Sequence, residues 1–119
     1  MIRGVLLDEY YPGWWPSAIL RLHPGLDLRV IGRANAPPTG TKDPLLLQWI
    51  EAHDFVVVTE DRKTMPGHLN DHTAAGRHVE GIFIADKRLN IRVVADDLDL
   101  VAGASYEGEF RDQITVLPL

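Results

Sequence analysis

The chain has no cysteine among its 119 residues, so disulfide bonds and thiolate metal sites are excluded. The lack of cysteine is typical of proteins from a reducing compartment, and we expect a cytoplasmic protein. No apolar run approaches the roughly 20 residues that a membrane helix needs, and the apolar stretch after Met1 is too short for a signal peptide. We therefore expect a soluble protein that does not use a membrane.

Several catalytic and nucleotide-binding motifs are also missing. The sequence contains neither Gly-x-x-x-x-Gly-Lys-Ser/Thr nor Gly-x-Gly-x-x-Gly, the loops that cradle phosphates in nucleotide-binding folds. Neither of its two serines, Ser17 and Ser105, lies in a Gly-x-Ser-x-Gly turn, which leaves a serine hydrolase unsupported. His68 and His72 are four residues apart, but no cysteine or HExxH glutamate completes a tetrahedral zinc site, so we expect them to cap or pack.

The charge balance argues against a protein that coats nucleic acid by bulk electrostatics. The chain has 12 lysines and arginines against 17 aspartates and glutamates, a net charge of −5. A nuclease is not excluded, because an enzyme that cuts RNA needs only a local basic rim around an acidic pocket. Four basic residues follow two acidic strand ends, and they either contact RNA or form surface ion pairs: Arg62, Lys63, Lys87 and Arg88.

The length predicts one domain, residues 1–119, that is large enough to bury a core. Short β-branched and apolar runs alternate with segments of helical spacing, which is typical of α/β proteins. The predicted strands are 2–7, 28–31, 55–58, 81–84 and 114–117. The predicted helices are 16–23, 44–53, 66–76 and 91–102, and proline stands near the start of the first three. We expect three α/β/α layers around a mainly parallel five-stranded sheet.

One long irregular stretch, residues 32–42, interrupts this pattern. Loops of such length within a compact domain are often functional. It precedes Asp43, so it either lies over the ligand-binding edge of the sheet or serves as a solvated connector.

Three of the apolar runs end at carboxylates. Asp8 and Glu9 follow the first strand, Glu60 and Asp61 follow the third, and Asp86 follows the fourth. Because ligands bind at the carboxyl ends of the strands in open α/β sheets, we expect these acids to gather there. Converging carboxylates raise one another's pKa unless a cation sits among them, and a hard divalent cation such as Mg²⁺ suits oxygen ligands. The alternative is that each acid caps the following helix.

The acids differ in how well they fit a ligand site. Asp8 and Asp61 are the strongest candidates, whereas Glu9 and Glu60 come second because adjacent residues leaving a strand point in different directions. Asp43 precedes Pro44 and an apolar helix, so it is a near-ideal N-cap. A carboxylate has two oxygens, and Asp43 can therefore cap a helix with one and bind a cation with the other.

The order of these motifs resembles the PIN-like proteins of a short bacterial family, toxin-like members of toxin–antitoxin pairs. The resemblance covers the chain to about Ala102. It rests on Leu6-Leu7-Asp8-Glu9, Asp43-Pro44-Leu45-Leu46, Val56-Val57-Val58-Thr59-Glu60-Asp61-Arg62 and Gly81-Ile82-Phe83-Ile84.

This resemblance implies a ribonuclease (a hydrolase) that depends on Mg²⁺ or Mn²⁺, with Asp8, Asp43 and Asp61 as catalytic residues and metal ligands. In this scheme Asp8 is the first-strand acid, Asp43 the acid at the helix start and Asp61 the acid of a Thr-x-Asp motif. The implied chemistry is metal-assisted hydrolysis of the phosphodiester. The implied partners are an RNA substrate, a cognate antitoxin of a type II system and a second copy in a homodimer.

The sequence departs from the family at one position. Relatives often continue Thr-x-Asp-x-Asp-Phe, but Lys63 and Thr64 occupy the last two places, so a cation replaces a fourth carboxylate. Asp86 is the candidate substitute. The departure leaves open a catalytically inactive PIN-like binding module.

A phosphoacceptor receiver domain is the rival interpretation from another class. Receivers have similar length, five βα units, an acid pair after the first strand and a central aspartate. The run Asp61-Arg62-Lys63-Thr64-Met65-Pro66 resembles the receiver's Asp-x-x-Met-Pro with an offset of one residue, and Lys87 is the candidate lysine. However, no Lys-Pro pair follows the later strand.

Overall fold

The computed structural model describes all 119 residues and contains the nine predicted elements in the predicted order. No predicted boundary moves by more than two residues. The strands are β1 (Gly4–Leu7), β2 (Leu28–Val30), β3 (Phe55–Thr59), β4 (Ile82–Ile84) and β5 (Ile114–Val116). The helices are α1 (Trp15–Leu22), α2 (Asp43–His53), α3 (Met65–Ala74) and α4 (Ile91–Ala104).

The five strands form one sheet in the order β2-β1-β3-β4-β5, and every pairing is parallel. The expected α/β class is confirmed, with a sheet that is wholly rather than mainly parallel. Gly4 opens β1 where space is short, because a Cβ there would lie 2.6 Å from both the Asp27 carbonyl oxygen and the Phe55 ring. The first strand can therefore lie closely between its two neighbours.

The three layers are held together by two buried hydrophobic clusters, one on each face of the sheet. Alternate residues of the strands point to opposite faces, so Val5 and Leu7 join one cluster and Leu6 joins the other. Helices α1 and α4 cover the first face, whereas α2 and α3 cover the second. None of the helices is both long enough and apolar enough to cross a membrane.

The starts of the helices follow the predicted proline signals, with one correction. Pro16, Pro44 and Pro66 all lie in the first turn of their helices, where the missing N–H is not needed. However, α2 begins at Asp43 itself and Lys42 occupies the N-cap, with no side-chain capping hydrogen bond. The interpretation of Asp43 as an N-cap is therefore wrong, because the helix starts one residue earlier than predicted.

The strand order creates a crevice between β1 and β3. The chain runs from β1 to β2 on one side of the sheet and then returns to β3 on the other side of β1. At such a reversal the loops after the two central strands diverge, and ligands of open α/β sheets bind there. Asp8 follows β1 and Asp61 lies two residues after β3, so both acids flank this crevice.

Candidate functional site

A cavity of about 410 Å³ lies at the crevice, and we call it the acidic cavity. It is lined by Asp8, Tyr10, Tyr11, Asp43, Thr59, Glu60 and Asp61. Four of these seven residues carry carboxylates, and none of them is basic. The structure therefore brings the three main predicted acids, Asp8, Asp43 and Asp61, to one cavity.

Asp8 is a half-buried carboxylate with no basic partner. Its Oδ2 accepts a hydrogen bond from the Thr59 hydroxyl at 3.0 Å, and its Oδ1 lies 3.4 Å from the Tyr10 amide nitrogen. Burial raises the pKa of the Asp8 carboxyl, and the neighbouring Glu9 charge adds to the rise although the hydrogen bonds oppose it. An ionised Asp8 is thus less favourable in the folded chain than in water.

Thr59 connects the two strand ends that carry the acids. Its side chain is buried, its hydroxyl donates to Asp8 and its Oγ1 accepts from the Asp61 amide at 3.2 Å. A hydroxyl can donate and accept at the same time, so Thr59 sets the positions of both neighbours. Sequence reasoning assigned it no role; the available signal was a threonine ending a buried strand two residues before an acid.

Asp61 braces the turn that leads into α3. Its Oδ1 accepts from the backbone amides of Lys63 at 3.0 Å and Thr64 at 2.9 Å, and its Oδ2 accepts from the Thr64 hydroxyl. These bonds, with the Thr64 side chain first, lower the pKa of the Asp61 carboxyl. A carboxylate has about four acceptor positions, so roughly one remains for a ligand. These amides belong to the turn before α3 and not to the helix, so Asp61 does not cap α3 as the capping alternative expected.

Asp43 lies between the acidic cavity and a second cavity of about 340 Å³, which we call the loop cavity. The loop cavity is lined by Asp8, Glu9, Tyr10, Ile31, Gly40, Thr41, Lys42, Asp43, Pro44, Leu46 and His68. The Asp43 Oδ2 lies 3.4 Å from the His68 Nε2. Lys42 supplies the basic side chain at this second cavity, and sequence reasoning missed it because it follows a loop rather than a strand.

The stretch 32–42 is an ordered wall of the loop cavity. The Gly32 amide donates to the Pro37 carbonyl at 2.8 Å, and the Thr41 hydroxyl donates to the Pro38 carbonyl at 2.6 Å. Gly32 has φ +88°, a left-handed conformation that favours glycine. The last residues of the stretch line the cavity, whereas most of residues 32–39 are exposed, as expected for a solvated connector.

The secondary acids divide into two groups. Glu9 lines the loop cavity beside Asp8, and Glu60 lines the acidic cavity beside Asp61. The Glu60 carboxylate accepts a hydrogen bond from the Lys87 amide at 2.9 Å, so Glu60 also contacts the loop after β4. Asp86 lines neither cavity; hydrogen bonds from Arg88 lower the pKa of its carboxyl.

The predicted basic rim consists of exposed side chains outside both cavities. Arg62, Lys63 and Lys87 are exposed and have no carboxylate within 4.0 Å. The Lys87 backbone amide donates to Glu60 at 2.9 Å, and the Arg88 side chain pairs with Asp86 at 2.7 Å. The ion-pair interpretation is therefore confirmed for Arg88, and the other three cations are free to meet an anionic ligand.

The acids fit a divalent cation only in a water-rich coordination. No group of three or more histidine or acidic side chains converges closely enough to hold a metal ion by itself. Mg²⁺ commonly binds through one or two carboxylates, keeps several waters and takes further oxygens from a substrate phosphate. Asp8 and Asp43 have acceptor positions free for such an ion, whereas Asp61 has about one.

Comparison with known proteins finds no matching family model, no matching curated protein and no matching solved structure.

Proposed function

We propose that this chain is a metal-dependent endoribonuclease of the PIN-like kind, the toxin component of a type II toxin–antitoxin system. The observation that supports the proposal is the acidic cavity at the sheet's reversal point, whose lining includes four acidic residues and no basic one. Like charges gathered this way favour binding of a cation. The departure at Lys63 does not fill this cavity with a positive charge, since Lys63 does not line it.

Asp8 and Asp43 are the proposed ligands of Mg²⁺ or Mn²⁺, and Asp61 contributes its one remaining acceptor position. When bound, such an ion lowers the pKa of a water and stabilises the charge that develops on a phosphate. Thr59 holds the Asp8 Oδ2 in place through its hydroxyl. Tyr11, buried beside the acids, anchors the cavity wall to β4 by donating to the Ala85 carbonyl at 2.6 Å.

Cleavage of single-stranded RNA by the purified protein tests the proposal. We expect activity that requires Mg²⁺ or Mn²⁺ and that falls by about a hundredfold or more in Asp8→Asn and in Asp43→Asn, because each removes a ligand charge. Asp99→Asn, an exposed change on α4, is the matched control and should keep full activity. Activity that never appears, or that survives both site changes, contradicts the proposal.

The toxin assignment has a separate test in cells. Expression of the chain should arrest growth, Asp8→Asn should relieve the arrest, and co-expression of the product of the adjacent gene should neutralise it. The antitoxin and a homodimer are the proposed protein partners. Growth arrest that persists in Asp8→Asn would contradict a toxin acting through RNA cleavage.

A receiver domain is the second candidate, because the strand order 2-1-3-4-5 also occurs in receiver proteins. Two observations oppose it. The turn takes three of the roughly four acceptor positions of the Asp61 carboxylate, and β5 is followed by Leu117-Pro118 rather than by a lysine. Labelling by a small phosphodonor that is lost in Asp61→Asn would favour the receiver.

A catalytically inactive PIN-like module is distinguished from the enzyme by binding without cleavage. Such a module would bind RNA with and without Mg²⁺ and would release no product with either metal. Asp8→Asn would then leave its binding unchanged or stronger, because the change removes a negative charge from the cavity.

A further inference from the structure

Two large aromatic side chains are exposed in the loop between β1 and α1. The Tyr10 side chain is 79% exposed and Trp14 is 57% exposed. Tyr10 lines both the acidic cavity and the loop cavity. Trp14 lies edge-on to the buried Trp15, with ring centroids 6.4 Å apart, so packing covers one part of its ring and leaves the larger part exposed.

The same loop is firmly anchored by the two residues next to them. Tyr11 and Trp15 are buried, their rings stack with centroids 4.5 Å apart, and the Tyr11 hydroxyl bonds the Ala85 carbonyl. The Trp15 amide also donates to the Pro12 carbonyl at 3.0 Å. Tyr10 and Trp14 are thus held outward on an ordered support, which lowers the entropy lost when a ligand stacks on them.

Basic side chains occur near the cavities that Tyr10 lines, although acids make up most of the charged lining and would need the proposed cation beside a phosphate. Lys42 lines the loop cavity with Tyr10, and Arg62 and Lys63, which have no carboxylate within 4.0 Å, follow β3, the strand that ends at the acidic cavity. Aromatic rings next to basic side chains are the usual combination for single-stranded nucleic acid, because every base offers a flat π face. Bases in a duplex already stack on their neighbours, so a protruding ring reaches only unpaired ones.

We propose that Tyr10 and Trp14 form a stacking platform for unpaired bases of RNA, which orients the chain across the two cavities. This inference rests on the proposed function and adds a choice of substrate to it. The acidic cavity and the loop cavity share Asp8, Tyr10 and Asp43, so a strand stacked on Tyr10 passes the acids with nucleotides on both sides. The platform selects single-stranded over double-stranded RNA.

Binding of a fluorescein-labelled single-stranded oligoribonucleotide tests the platform, with the duplex of the same sequence as comparison. Anisotropy is measured with Ca²⁺ in place of Mg²⁺, and the labelled strand is checked for cleavage. We expect Tyr10→Ala and Trp14→Ala each to weaken single-strand binding about tenfold and to leave duplex binding unchanged. Tyr10→Phe and Trp14→Phe retain a ring and should restore most of the affinity.

Tyr106→Ala is the matched control. Tyr106 is 72% exposed but follows α4, at the opposite edge of the sheet, so its removal should change neither affinity. Circular dichroism of each variant separates lost binding from lost folding. In addition, single-strand binding should quench the fluorescence of Trp14, and the quenching should be absent in Trp14→Phe.

Two outcomes overturn the platform. One is equal loss of single-strand and duplex affinity, and the other is unchanged single-strand affinity in both alanine variants; if those variants instead fail to bind the antitoxin, the rings belong to a protein interface. The nuclease proposal fails separately. If the chain binds unpaired RNA through these rings but never cleaves it, the platform proposal stands and the nuclease proposal fails. If RNA cleavage is unchanged in both alanine variants, the nuclease proposal stands and the platform proposal fails.

Discussion

Acidic side chains at the two edges of the sheet differ in whether they have basic partners, as Glu51 and Asp112 at one edge and Asp8 at the other show. At the amino edge, Glu51 accepts from the Arg77 side chain at 3.0 Å and lies 2.9 Å from the His72 Nε2, and Asp112 pairs with His78 at 2.7 Å. At the carboxyl edge, Asp8 has no basic side chain within 4.0 Å and shares its cavity with three other carboxylates.

This contrast separates a carboxylate whose charge the fold stabilises from one whose charge it does not. A carboxylate that meets cations and amide donors is stabilised in its ionised form, as the lowered pKa of Glu51 indicates. The raised pKa of Asp8 indicates the reverse, since burial disfavours its charge and no cation compensates. The charge of Glu51 at the amino edge therefore stabilises the fold, whereas the charge of Asp8 at the carboxyl edge does not.

The largest expected effect on stability comes from removing the Glu51 carboxylate at the amino edge. Glu51→Ala deprives the Arg77 side chain, the His78 amide and the buried His72 of a common partner. We expect a loss of about 2 kcal/mol in the free energy of unfolding, because the Arg77 side chain and the His78 amide lose their acceptor together and the His72 ring loses a nearby carboxylate. Urea denaturation at pH 7 measures it.

Glu107→Ala is the matched control for this test. Glu107 is an exposed acid 3.9 Å from the amino terminus, and such exposed pairs contribute little. Its removal should change the free energy of unfolding by about 0.5 kcal/mol or less. Equal effects of the two changes would show that the amino edge is not the stabilising one.

Lower pH should weaken the Glu51 contribution. Partial burial works against ionisation of Glu51, but the hydrogen bonds from Arg77 and His78 outweigh it and lower the pKa of its carboxyl. A group whose pKa is lowered by folding stabilises the fold above its unfolded pKa, and this contribution disappears as the pH falls through the folded value. The difference between wild type and Glu51→Ala should therefore shrink below about pH 4, near the ordinary pKa of glutamate.

The fold also stabilises the charge of Asp61, although Asp61 lies at the carboxyl edge. Asp61→Ala removes the acceptor of two amides and the Thr64 hydroxyl, and we expect a loss of about 1 kcal/mol in the free energy of unfolding, the usual net contribution of such hydrogen bonds. Asp61→Asn keeps an oxygen for the two amides and should lose less. If Asp61→Ala unfolds at the same urea concentration as wild type, the turn does not depend on this carboxylate.

The fold was predictable because several local signals agreed. Apolar runs, helical spacing and the prolines near the starts of α1, α2 and α3 indicated the same nine elements. The strand order was not predicted, since parallel pairing depends on contacts between residues far apart in the chain. That order is what places Asp8 and Asp61 on either side of one crevice.

The candidate site was predictable only as a set of acids. The residues that give it shape were missed: Thr59 links two strand ends, Lys42 lines the loop cavity and Tyr10 borders both cavities. Their roles follow from three-dimensional neighbours, which a pattern of acids after strands does not contain. The structural role of Asp61 was missed for the same reason. Its hydrogen bonds to the turn depend on the backbone conformation of the residues after it.

The smallest expected effect is a gain in stability, and it comes from Asp8→Asn. Asp8→Asn keeps an oxygen for the Thr59 hydroxyl and removes a buried charge that no cation balances. A carboxyl whose pKa is raised by folding favours the folded state at low pH, and this contribution is lost as the pH rises through the folded value.

Asp8→Asn should therefore raise the melting temperature by about 2 °C at pH 7, equivalent to roughly 0.5 kcal/mol in a domain of this size. The gain should shrink as the pH falls and vanish below the ordinary pKa of aspartate, about 4, where Asp8 becomes protonated in both states. Thermal unfolding of wild type and variant from about pH 3 to pH 8, without divalent cations, measures it. Added Mg²⁺ should then stabilise wild type more than Asp8→Asn, because only the wild-type cavity keeps that charge for the ion. A variant that melts below wild type at pH 7 would place Asp8 with the structural acids and remove the contrast between the two edges.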